Sequence, residues 1–132
     1  LLPQLSRSAK PMSEADVERF LAQGGVHLFV FRPDAADDEG NRPILGMLSL
    51  ATFEIPTGVR AWVEDVVVDE AARGQGAGQS LVVAAIEHAK KIGARTVDLT
   101  SRPSREAANR LYQRAGFKLR ETNVYRVTLE KK

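Results

Sequence analysis

The chain has 132 residues, 43% hydrophobic and 27% charged, with no cysteine and a formal charge of +2. These figures describe one globular domain and exclude a disulfide framework, a thiolate zinc site, a cysteine nucleophile and, with no apolar run near the roughly 20 residues required, a membrane-spanning helix. The charge is divided: residues 1–89 carry 7 basic and 13 acidic side chains, net −6, and residues 90–132 carry 12 basic and 4 acidic, net +8, so the C-terminal part is either a solvated basic face or the seat of an anionic partner.

In chain order, Ser13 with Glu14 and Asp16 supplies a helix start, and Val17, Phe20 and Leu21 keep helical spacing until Gly24-Gly25. Val26–Phe31 and Ile44–Ile55 read as two strands of a hairpin, with the acidic segment of Asp34, Asp37, Asp38 and Glu39 at its tip; that segment lacks calcium-loop spacing. Arg60–Asp69 ends almost continuously apolar, as a strand covered on both faces does. Gly74, Gly76 and Gly78 then open a helix with Leu81, Val82, Ala85, Ile86, Ala89 and Ile92 on one face, stopped at Gly93. Thr96–Thr100 is the next strand, making a right-handed strand, helix, strand crossover. Ser104 is placed to cap a further helix that ends at Gly116, and Phe117–Arg120 and Val124–Leu129 read as closing strands. The fold class is α+β, a mixed sheet with one parallel pair flanked by helices, in a single domain over residues 1–132.

Glycines at a strand-to-helix turn let an anion reach the unpaired N–H groups and positive dipole end of the helix. Neither the Walker A loop nor the dinucleotide fingerprint is satisfied, because Gln79 stands where each needs another residue. What is left is Arg-x-x-Gly-x-Gly, with Arg73, Gly76 and Gly78 at its fixed positions. This resembles the acyl-CoA signature of the GNAT family of N-acetyltransferases. Asn109-Arg110-Leu111-Tyr112-Gln113-Arg114-Ala115-Gly116-Phe117 is similar to that family's Asn-x-x-Tyr-x-x-x-Gly-Phe helix.

The resemblance implies a pantetheine arm lying between two splayed parallel strands and paired with backbone near Val66, Val67 and Val68. It implies pyrophosphate on the N–H groups of Gly74, Gln75, Gly76, Ala77, Gly78 and Gln79, with charge from Arg73 and Arg114. Thr100 and Ser101 would form the opposing wall, and Asn109 and Tyr112 would address the same ligand. Acetyl-CoA is the implied cosubstrate, and no metal is needed: His27 and His88 lack companion ligands.

An alkylammonium has a pKa near 10.4 and must lose a proton before it attacks, at a cost of roughly 4–5 kcal/mol at neutral pH, whereas a thiol of pKa about 8.5 leaves readily. A base is needed more than an acid. Tyr112 is the candidate acid. Glu64 is the candidate base, slightly ahead of Asp65, and its alternative is an ion pair with an arginine such as Arg60. Glu64-Asp65-Val66-Val67-Val68 also resembles the corresponding strand of glucosamine-phosphate N-acetyltransferases. Trp62 either floors an acceptor pocket or packs, and Asn123–Arg126 either borders the acceptor or packs on the sheet.

The expected activity is acetyl transfer to a primary amine by direct attack in a ternary complex. A non-catalytic acyl-CoA-binding module would share the glycine loop. No nucleic-acid motif is present, and a homodimer stays open. With no signal-peptide pattern the default location is cytoplasmic. A member of this family usually begins with a strand and two helices before the hairpin; only one helix precedes it here, so the expectation is a domain lacking its first strand and most of its first helix.

Overall fold

A computed structural model describes residues 14–22, 24–32, 40, 44–69, 72 and 76–129; Ser13, the acidic segment from Asp34 to Glu39 and, in the glycine loop, Arg73, Gly74 and Gln75 lie outside the described residues. The elements in chain order are α1 (Glu14–Leu21), β1 (Val26–Phe31), β2 (Gly46–Ile55), β3 (Gly58–Val68), α2 (Ala77–Lys91), β4 (Thr96–Asp98) and α3 (Glu106–Arg114). The strands stand side by side in sequence order. β1 and β2 are antiparallel, as are β2 and β3, and α2 crosses from β3 to a parallel β4.

The core lies between the sheet and α2. Leu81, Val82, Ala85 and Ala89 of the helix meet Leu48 and Leu50 of β2 and Ala61 and Val63 of β3, and all are buried. Their spacing along α2 is that of one helical face, while the strand residues alternate, as these two backbones require. Burial of each Leu or Val is worth about 1.5–3 kcal/mol.

Both long helices end on the same device. Gly93 is left-handed at φ 82°, its N–H donates to the Lys90 carbonyl and that of Ala94 to the Ala89 carbonyl. Gly116, Gln113, Phe117 and Tyr112 repeat the pattern at the end of α3. Two expectations need correction. Arg105, not Ser104, occupies the capping position of α3, and it makes no side-chain cap bond. Residues 117–129 form no strands, and Leu119, Tyr125, Val127 and Leu129 are 79–93% exposed. Alternating apolar residues make a strand only where a sheet edge or a stable hairpin pairs them, and β4 is three residues long.

His88 of α2 faces β1, its ring 4.4 Å from His27 and 5.8 Å from Phe29 by centroids. Its Nε2 is buried without a hydrogen-bond partner. Burial first, then His27 and Lys91, hold its pKa below the ordinary value. The unfolded chain therefore takes up this proton at higher pH than the folded one, so the contribution is complete above about pH 6.5 and is lost as pH falls. The melting temperature should decline as the pH falls below about 6.5, and less steeply in His88→Leu. Equal slopes in the two proteins would show that His88 does not carry the effect.

Candidate active site

β4 pairs with β3 only over Arg60–Trp62, whereas β3 runs on to Val68. Past Trp62 the parallel pair is open, and the β3 backbone on that side has no strand partner among the described residues. The register of β3 on β2 also breaks here: Glu64 faces Ser49, but Val67 faces Met47, so Asp65 and Val66 together oppose Leu48. Asp65 takes φ 53°, a left-handed conformation that aspartate tolerates better than most residues. Such a bulge reverses the alternation of the strand. Beyond it Val66 and Val68 pack against the core, while Glu64 and Asp65 are both exposed.

The start of α2 stands at the end of β3. Gly76 is its cap residue at φ 74°, no side chain caps it, and a Cβ there would meet nothing within 4 Å. The helical ladder begins with the Ser80 N–H donating to the Gly76 carbonyl at 2.9 Å, which leaves the N–H groups of Ala77, Gly78 and Gln79 without an intrahelical partner. Gly78 also governs packing, since a Cβ would lie 3.0 Å from Leu111 Cδ1 and its absence lets α2 and α3 approach.

Between these elements lies a cavity of about 770 Å³. Val66, Val67, Val68, Ala72 and Gly76–Gln79 line one side, and Ser104–Ala108, Leu111, Tyr112 and Arg114 line the other. Tyr112 is 9% exposed and its ring packs edge-on to Phe117 at 6.0 Å. Burial pushes its phenol above the usual pKa of 10, and Arg105 opposes that shift. The hydroxyl therefore holds its proton at neutral pH, as a donor must. Gln79 Oε1 is buried without a partner beside the helix start. A long thioester with an anionic head fits three of these features: an apolar channel of valines, open space over Gly76 and unpaired N–H groups.

Val66, Val67, Val68, Gly76, Ala77, Gly78, Gln79, Tyr112 and Arg114 thus converge on one cavity. Arg73, Gly74 and Gln75 lie outside the described residues. Thr100 and Ser101 are not in the lining; the facing wall comes from Ser104–Ala108 instead. Asn109 is also absent from the lining, and its amide donates to the Arg102 and Arg105 carbonyls at 2.9 Å each, tying down the loop before α3. Glu64 stands outside the cavity, two residues before Val66 and so at most about 7 Å along the chain. It does not pair with Arg60, which donates to Thr57 Oγ1 at 3.1 Å. Its partner is Trp62, whose indole Nε1–H donates to Glu64 Oε1 at 2.6 Å. Trp-x-Glu on a strand puts both side chains on one face, and that spacing was the available signal. Among the described residues no group of three metal-ligating side chains is found, and no helix is long and apolar enough to cross a membrane.

Residues 3–117 match the acetyltransferase (GNAT) family. The chain is 37% identical over 121 residues to glucosamine 6-phosphate N-acetyltransferase 1 of Oryza sativa subsp. japonica, covering 89% of this chain and 70% of that protein. A putative acetyltransferase from Agrobacterium tumefaciens str. C58 superposes with a TM-score of 0.78 at 27% identity, over 97% of this chain and 89% of the other. Glucosamine-6-phosphate N-acetyltransferase from Arabidopsis thaliana shares the fold, with a TM-score of 0.70 at 19% identity over 86% and 75% of the two chains.

Gly78→Val should force Leu111 away and cost about 1–3 kcal/mol, the scale of overpacking a close contact. Urea unfolding checks this, and the cost should shrink in a Leu111→Ala background.

Proposed function

The chain belongs to the acetyltransferase (GNAT) family and is an N-acetyltransferase, and from that premise we propose that it moves the acetyl group of acetyl-CoA to the primary amine of a small polar acceptor. The observation that carries the reading is the cavity joining Val66–Val68, the uncapped start of α2 and the buried Tyr112 phenol. The valine backbone holds the pantetheine arm and the N–H groups of Gly76–Gln79 hold the pyrophosphate, with Arg114 of the lining as a cation and Arg73 three positions before Gly76 in the sequence as a second.

Glu64, through a water, takes the proton of the acceptor ammonium. The amine nitrogen then attacks the thioester carbonyl; a C–N bond forms and the C–S bond breaks. Tyr112 gives its proton to the departing sulfur, and the proton shed by the new amide nitrogen restores the phenol through solvent. The acceptor to test first is a phosphorylated aminosugar, because the rice relative is named for one. A cytoplasmic setting goes with this reading.

Acetyl-CoA at about 100 times its Kd should stabilise the protein by about 2.7 kcal/mol, read as a rise in melting temperature. Gly76→Asp should abolish the rise, because its carboxylate would occupy the anion position, while Gly76→Ala should retain part of it. No rise in the wild type at millimolar acetyl-CoA would contradict the cavity assignment. Thiol release should be assayed with glucosamine 6-phosphate, glucosamine, lysine and spermidine. Tyr112→Phe should lower kcat by about 10²-fold or more with the Kd for acetyl-CoA unchanged; unaltered kcat would remove Tyr112 from the chemistry.

A further inference from the structure

Trp62 is the chain's single tryptophan, and it stands where the sheet forks. It is the last residue of β3 with a β4 partner, Asp98, and on its other side it faces Ala51 of β2. Pairing on both flanks fixes its backbone, and its side chain is half-buried. Glu64 lies two residues on, exposed, just before the register break at Asp65. An exposed glutamate has several staggered positions for its carboxylate, and a short N–H···O contact to a charged oxygen selects among them.

That contact is the indole bond from Trp62 at 2.6 Å. Among the described residues Glu64 forms no ion pair, and the residue opposite it on β2 is the small, buried Ser49. Indole nitrogen is a donor only. It orients the carboxylate as an acceptor and has no lone pair with which to compete for the amine's proton. A lysine or arginine at this place would orient Glu64 too, but its charge would repel an incoming ammonium.

We propose that Trp62 is a positioning residue for acetyl transfer: its indole N–H holds the Glu64 carboxylate at the fork of β3 and β4, turned toward the water through which it takes the amine's proton. This rests on the reading of Glu64 as the base.

Trp62→Phe keeps a ring opposite Ala51 and removes only the donor. With acetyl-CoA and whichever of the four amines gives the highest wild-type rate, it should lower kcat between about 10-fold and 100-fold, the scale of a misplacement near 1 Å. KM for acetyl-CoA should not move, and in a Glu64→Gln background Trp62→Phe should cost nothing more. Emission from the single tryptophan supplies a readout free of catalysis: Glu64→Leu should change it and Asp65→Asn should not. If Glu64→Gln lowers kcat and Trp62→Phe does not, the base reading stands and the positioning role is overturned. If Glu64→Gln changes nothing, the base reading falls and Trp62 has nothing to position. Emission unaltered by Glu64→Leu overturns the proposal whatever the rates.

Discussion

The burial of one face of α2 against β2 and β3 is the constraint from which the rest of the site follows. Leu81, Val82, Ala85 and Ala89 lock the helix in rotation and in register over Leu48, Leu50, Ala61 and Val63. Because α2 is the crossover between two parallel strands, fixing its body also fixes its first turn at the end of β3. The unpaired N–H groups of Ala77–Gln79 are held there by apolar packing that begins two residues on, at Leu81. An anion site made of backbone needs such an anchor, since its donors cannot be repositioned by side-chain rotation.

β3 divides the labour along its length. Over Arg60–Trp62 it is an ordinary central strand paired on both sides. The bulge at Asp65 and Val66 then changes its course, and its last residues leave β4 behind and form one wall of the cavity. Glu64, the base of the proposed reaction, lies just before the bulge, and the valines proposed to pair with the donor lie just after it. α3 completes the site from the other side by bringing Tyr112, and Gly78 sets how near it comes. Three elements, each positioned by its own packing, meet at the opening between β3 and β4.

Much of this was legible in the sequence. The apolar face of α2 and the stops at Gly93 and Gly116 are local patterns, and local patterns survive folding. The glycine loop with Tyr112 pointed to a single ligand, and the structure places Gly76, Gly78 and Tyr112 around one cavity. The bulge was not legible, because it is a property of how β3 pairs with β2, and no glycine marks Asp65. Simple alternation would put Glu64 and Val66 on one face of β3, and the bulge between them undoes that relation. Asn109 looked like a ligand group from its motif position, yet its amide serves the loop of Arg102 and Arg105. The closing strands failed for a related reason: the alternation of Tyr125, Val127 and Leu129 describes a strand but says nothing of what would pair with it.

The central claim is that the donor lies between the bulged end of β3 and the first turn of α2. Backbone amide NMR shifts of the labelled protein, recorded as coenzyme A is added, test it most directly. The account predicts that the largest shifts fall on Val66, Val67, Val68 and Gly76–Gln79, with β1 unmoved. Shifts concentrated on the basic residues from Lys118 to Arg126, with the valines and the α2 start unmoved, would contradict it.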